Sequence, residues 1–161
     1  MTTARLNMRE VAPDAYAAVA GVQRYIGSCG LERSLINLVQ MRASQINGCA
    51  FCLDMHSREA LAHGETAQRL HLLNAWREAP GYSERERAAL GWTDCLTLVA
   101  LQGAPDAAYE ALTAQFTPAE IVNLTTLIGT INVWNRLMIG FRAQPKVDQA
   151  SPPRTDKRRA E

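Results

Sequence analysis

Residues 117–141 read TPAEIVNLTTLIGTINVWNRLMIGF, and Ile121, Leu124, Ile128, Ile131, Trp134 and Met138 recur in it at three- and four-residue steps. That period puts them on one face of an α-helix. Three start signals precede the stripe. Thr117 stands in the N-cap position. Pro118 follows at the first helical position, where its missing N–H is no loss, and Glu120 is placed to return a bond to the cap. The stretch predicts a long helix from Pro118 to about Phe141.

Working outward, the preceding segments carry the same period. Ala88, Trp92, Cys95, Leu96 and Val99 give an apolar stripe over Ser83–Leu101, opened by a Ser83/Glu86 capping box. Further helices are expected at about Pro13–Ile26, Leu31–Ile46, Cys49–Ala62, Thr66–Trp76 and Asp106–Phe116, separated by Gly30, Gly48, Gly64, APGY at 79–82 and QGAP at 102–105. No run alternates as a strand does between two turn signals. The expected fold class is therefore all-α, a single helical domain of about six to eight helices over residues 1–142. The remainder, 143–161 (AQPKVDQASPPRTDKRRAE), has too little apolar surface to offset the entropy of ordering and is expected to be a disordered, solvated tail, including Lys157, Arg158 and Arg159.

Composition narrows the function classes. The 161 residues are 47% hydrophobic, enough for one real core, and 17 Lys and Arg against 16 Asp and Glu leave a net charge of +1. No long-range field draws such a chain to nucleic acid or an anionic membrane. MTTARLNMREVAPDAY at the start has no signal-peptide core, and no segment has the roughly 18 uninterrupted apolar residues of a membrane span. A soluble, cytoplasmic protein is expected. Four cysteines are too few for a secreted disulfide framework, so a close pair among them points to redox or metal chemistry.

That pair lies in NGCAFCLDMH, residues 47–56. Asn47 and Gly48 break the chain, which puts Cys49 at the opening turn of the next helix, where free N–H groups and the positive end of the dipole favour a thiolate. On a regular helix Cys49, Cys52 and His56 share one face. A thiol of pKa about 8.5 is only a few per cent ionised at neutral pH, and lowering it by two units takes about 2.7 kcal/mol, which the helix end and the imidazole together are placed to supply. A regular helix holds such Cβ atoms about 5–6 Å apart where a disulfide wants about 3.8 Å, so a bond here distorts the first turn and is easily reduced. Two other readings stand beside this one. The cysteines can be buried small hydrophobes. Structural zinc needs four ligands, whereas three converge here and His63 lies two turns beyond His56. Cys29 and Cys95 have no motif near them and read as structural, His63 as a helix C-terminal cation and His71 as a partly exposed helical residue.

LVQMRASQINGCAFCLDMHSREALAHGE at 38–65, LLNAWREAPGYSERERAALGWTDCLT at 72–97 and NVWNRLMIGFR at 132–142 resemble the alkyl hydroperoxidase D-like branch of the carboxymuconolactone decarboxylase superfamily. The resemblance implies an all-α domain that assembles into a homo-oligomer, a trimer or a hexamer. It implies reduction of hydroperoxides by a cysteine pair. Electrons come from a dithiol partner such as a lipoyl-bearing protein, with onward delivery to a peroxiredoxin in some members. Carried over, Cys52 becomes the sulfenic acid, Cys49 is the resolving residue and proton donor, and His56 serves a proton relay. Two positions depart from the pattern. The relay glutamate is replaced by Asn37, which cannot take up a proton but can orient His56 or a water, and a histidine between the cysteines is replaced by Phe51, making the pocket more apolar.

The expected function is thus a thiol-dependent peroxidase working through Cys52, Cys49, His56 and Asn37, with no bound cofactor and no metal. Two alternatives remain open: a thiol–disulfide oxidoreductase or redox sensor without efficient peroxidase activity, and a helical oligomer that binds a small apolar ligand.

Overall fold

The helix that opens at Pro118 runs to Gly140. The Glu120 N–H donates to the Thr117 hydroxyl while the Glu120 carboxylate accepts the Thr117 N–H, satisfying two donors that a helix start otherwise leaves orphaned. Ser83 and Glu86 do the same for the helix at Glu84–Thr97. The computed structural model describes residues 3–146. In chain order their helices are α1 (Met8–Val11), α2 (Pro13–Ile26), α3 (Arg33–Asn47), α4 (Ala50–Ala62), α5 (Ala67–Leu72), α6 (Glu84–Thr97), α7 (Val99–Gln102), α8 (Asp106–Thr113) and α9 (Pro118–Gly140), with a 3-10 turn at Leu73–Ala75. No strand occurs among the described residues, as the patterning predicts.

Nine helices stand among the described residues where six to eight are expected. The surplus elements are single turns. α1 is too short to show a period, and α7 arises because the one helix expected over 83–101 breaks at Leu98, whose φ of −106° and ψ of 29° leave the helical region. Beyond the break Val99 and Leu101 are exposed, so the apolar pattern that suggested continuity is not a buried face there.

α3 runs through the middle, packed against α4, α6 and α9. Its Leu35, Ile36 and Val39 meet Trp92 of α6 and Leu124, Leu127 and Ile128 of α9, while Leu38 and Met41 meet Leu70, Leu73, Trp76 and Leu90 in a second cluster. Asp94 of α6, buried at 3% exposure, accepts from Arg42 of α3 at 2.6 Å and from the Trp76 indole at 3.3 Å; a buried carboxylate persists only when paired in this way. Arg85 ties Glu32, ahead of α3, to Glu120 of α9 while lying 3.9 Å over the Phe116 ring.

The two ends of the described chain meet. The Arg5 N–H donates to the Phe141 carbonyl and its guanidinium to the Gly140 carbonyl, each at 2.9 Å, which draws the N-terminal segment across the end of α9. Of the expected tail, residues 147–161, including the basic cluster, lie outside the described residues. Among the described residues no helix is long and apolar enough to cross a membrane.

Candidate active site

Gly48 closes α3 in the left-handed conformation, φ 68°, and lets the Cys49 N–H turn back to the Ser44 carbonyl at 3.1 Å. Any side chain there adds strain without touching a neighbour. The next residue immediately opens α4. Cys49 is therefore its N-cap, with extended backbone (φ −85°, ψ 94°), and its Sγ accepts the Cys52 N–H at 3.4 Å in the place usually taken by a Ser or Asp oxygen. This corrects the expectation that both cysteines ride one face of a regular helix: the cap geometry folds the Cys49 sulfur over the first turn, toward Cys52. Both side chains are free thiols, each 1% exposed.

The two sulfurs are driven in opposite directions. Cys49 is pulled down to about 7, chiefly because the Cys52 thiol donates to it and also through the Cys52 N–H, Asn135 and the Phe51 N–H, with burial opposing. Cys52 is pushed far up, first because Cys49 holds its proton in that hydrogen bond, then by burial and by the Cys49 charge. The two titrate as a pair: the first proton leaves near pH 7 and the second is held far above it. His56 is not what acidifies the pair. Helix-end N–H groups contribute at Cys49, as expected.

Behind the sulfurs lies an amide network that the periodic reading of α9 did not reveal, because Asn132 and Asn135 fall between its apolar positions. Asn47 donates to Asn135 Oδ1 at 2.8 Å and to Asn132 Oδ1 at 3.0 Å. Asn135 is fully buried and donates to Ser44 Oγ at 3.0 Å. It also favours the thiolate form of either sulfur. A hydrogen bond to a charged acceptor contributes about 1.5–3 kcal/mol, so even the lower figure moves a titration by about one pH unit. Asn135→Ala is expected to raise the first deprotonation above 7 and to leave about a tenth of the pair ionised at neutral pH instead of about half. Thiolate absorbance at 240 nm against pH reads the shift, and an unmoved titration removes Asn135 from the site.

His56, 4% exposed, bonds through Nδ1 to Glu59 Oε2 at 2.9 Å, one turn further along α4. With Nδ1–H donated to a carboxylate, the Nε2 lone pair is left free to accept a proton. The His56 hydrogen bond holds the Glu59 carboxyl below its usual range against the opposing effect of burial, with lesser help from the charges of His56, His63 and Arg33. Asn37 is not the supporting partner of His56. It is buried at 3% exposure on α3 and bonds His63 Nδ1 at 3.2 Å, acting as donor, so the nitrogen facing it is the acceptor. The carboxylate missing from position 37 is thus supplied by Glu59, whose i,i+3 spacing from His56 was readable in the sequence.

Cys52, His56 and Glu59 line a cavity of about 690 Å³, walled by Tyr16, Phe51, Met55, Trp134, Met138 and Phe141. Cys49 is not among its lining residues. The rim comes from residues far apart in sequence, 4–9 and 141–144, held together by the Arg5 bonds to α9. Among the described residues, no cluster of three or more His, Cys, Asp and Glu is arranged to hold a metal.

An all-helical scaffold that buries two hydrogen-bonded thiols at a helix start, one facing an apolar cavity with a histidine–carboxylate pair, defines a helical dithiol protein. The family model described as the carboxymuconolactone decarboxylase family matches residues 13–94. The uncharacterised protein YdfG of Bacillus subtilis is 37% identical over 144 residues, 88% of this chain and 98% of its own length. A crystal structure of a protein of unknown function from Agrobacterium tumefaciens, associated by name with AhpD antioxidant defence, is 48% identical with a TM-score of 0.89, covering 91% of this chain and 100% of that one. The alkyl hydroperoxide reductase AhpD of Hyphomonas neptunium is 40% identical over 45 residues, 28% of this chain and 25% of its own length. The chain belongs to the carboxymuconolactone decarboxylase family, in its AhpD-like branch.

Proposed function

We propose that the protein is a thiol-dependent peroxidase that reduces organic hydroperoxides through a Cys52–Cys49 dithiol–disulfide cycle. One observation carries this reading: two free thiols meet at the start of α4, where the Cys49 sulfur accepts the Cys52 N–H at 3.4 Å, and of the two it is Cys52 that opens onto the cavity. His56 Nε2 takes the Cys52 proton as that sulfur attacks the terminal peroxide oxygen. An S–O bond forms and the O–O bond breaks. The alkoxide leaves and is protonated by the imidazolium, which Glu59 stabilises. Cys49, already ionised, then attacks the sulfenic sulfur; the S–S bond forms and hydroxide departs, taking a proton from solvent. The peroxide gains two electrons and the dithiol loses two. An external dithiol, of the kind a lipoyl-bearing protein carries, reverses the oxidation by exchange.

Assembly into a homo-oligomer, which the AhpD-like relatives suggest, belongs to the same reading. Stopped-flow mixing of the reduced protein with cumene hydroperoxide tests the activity. One equivalent of peroxide is expected to yield one Cys49–Cys52 disulfide, at least about a hundredfold faster than a free thiol reacts at the same pH. Oxidation no faster than that of the free thiol overturns the peroxidase reading and leaves thiol–disulfide exchange in its place.

A further inference from the structure

The cavity is much larger than the reacting atoms require. At about 690 Å³ it would be left nine-tenths empty by hydrogen peroxide, roughly the size of two waters at about 30 Å³ each. A volume in this range suits a molecule of drug or lipid size. Its lining differs in kind from place to place. Cys52 and His56 are buried, 1% and 4% exposed, whereas Arg9 and Arg24, on α1 and α2, are exposed to solvent. Neither guanidinium makes an ion pair with another described residue; Arg9 lies 5.7 Å over the Tyr16 ring, which itself stands edge-on to Trp134 at 5.5 Å.

The rest of the wall is largely aromatic rings and the adaptable thioethers of Met55 and Met138. The other charge in the lining is Glu59, which is already engaged by His56 and feels the charges of His63 and Arg33. Two guanidiniums with no ion-pair partner among the described residues thus line a largely apolar chamber. The chamber also contains Gln23, whose Oε1 is a buried acceptor with no hydrogen-bond partner, so an occupant carrying an O–H group satisfies it.

We infer that the substrate is an amphipathic hydroperoxide with a carboxylate end, of the fatty-acid type, with its carboxylate held by Arg9 and Arg24, its chain against Tyr16, Met55, Trp134 and Met138, and its hydroperoxyl group delivered to Cys52. This rests on the peroxidase reading above and specifies its substrate class. The reaction is the one already balanced: the O–O bond of the lipid breaks, a hydroxy fatty acid leaves, and the Cys49–Cys52 disulfide forms. Guanidinium–carboxylate pairing, not apolar fit alone, sets the preference.

Single-turnover oxidation is measured with the hydroperoxide of octadecadienoic acid, with its methyl ester, and with tert-butyl hydroperoxide. The acid is expected to react about tenfold faster than the ester in the native protein, and this ratio is expected to fall to about one in Arg9→Ala/Arg24→Ala. Equal rates for acid and ester, with all three oxidants consumed well above the free-thiol rate, overturn the inference and leave the peroxidase reading standing. If no oxidant beats a free thiol, the peroxidase reading falls, and the binding site is judged alone by titrating Cys52→Ser protein with dodecanoate and following tryptophan fluorescence, since Trp134 lines the cavity. Saturable binding lost in the double arginine variant supports the acid-binding site; absence of binding removes it.

Discussion

Cys52→Ser abolishes peroxide consumption, a loss of about a thousandfold or more, because a serine hydroxyl is neither ionised near neutrality nor a comparable nucleophile toward peroxide oxygen. Cys49→Ser behaves differently. It still consumes one equivalent of peroxide, then stops with a sulfenic acid on residue 52 that dimedone traps, because no neighbouring thiolate is left to close the disulfide. The titration of residue 52 moves in a definite direction in that variant. The largest influence pushing Cys52 upward is the hydrogen bond that Cys49 makes to its proton, and the Cys49 charge is another; only burial remains when both are gone. The Cys52 thiol therefore ionises at lower pH in Cys49→Ser than in the native pair. Mass spectrometry after stoichiometric peroxide reads the adduct, and absorbance at 240 nm reads the titration. The opposite pattern, with Cys49→Ser inert and Cys52→Ser trapped as sulfenate on residue 49, reverses the assignment. Such a reversal would also conflict with the cavity, which exposes Cys52 and not Cys49 to an incoming peroxide.

The parts of this structure that were legible beforehand are those that depend on neighbours in sequence. The α9 stripe, its Thr117/Glu120 cap, the Ser83/Glu86 cap and the bounds of α2 are all local decisions, and the structure matches them. The Gly48 break was legible for the same reason, since only glycine takes the left-handed conformation at no steric cost. What escaped depends on contacts between distant segments. Asn132 and Asn135 read as polar gaps in an apolar stripe, yet they are buried because α3 brings Ser44 and Asn47 to meet them. The cavity rim joins residues 135 positions apart through the Arg5–Gly140 bond, which no pattern encodes. The meeting of the two sulfurs escaped too, because an ideal helix carries both cysteines side by side along one face. The extended backbone of Cys49 makes the cap residue the acceptor, and in a tight pair the acceptor keeps the charge.

The histidine–carboxylate pair is expected to set the rate without setting the titration. His56→Gln should slow single-turnover oxidation by about a hundredfold or more, the usual worth of a positioned general acid–base group, because the Cys52 proton can then pass only to Cys49, neutralising the resolving thiolate, and the departing alkoxide has no donor. Glu59→Gln should produce a smaller loss, about tenfold: the amide can still hydrogen-bond the ring, but it contributes no charge to balance the imidazolium formed during proton transfer. In both variants the first deprotonation of the cysteine pair should remain near 7, since that value comes from the Cys52 thiol, first-turn N–H groups and Asn135. Disulfide formation should accordingly rise with pH through 7 in native and variant proteins alike, with the plateau lowered and the midpoint fixed. Glu59→Asp supplies the control, because a carboxylate one methylene shorter recovers part of the rate if charge is what matters and none if the side chain only props the helix. Adding a carboxylate by Asn37→Glu is expected to give no comparable gain, as position 37 faces His63 and not His56. Should the midpoint move with the rate in Glu59→Gln, the carboxylate acts on the sulfurs themselves, and the division of labour between an ionised Cys49 and a histidine-served Cys52 fails.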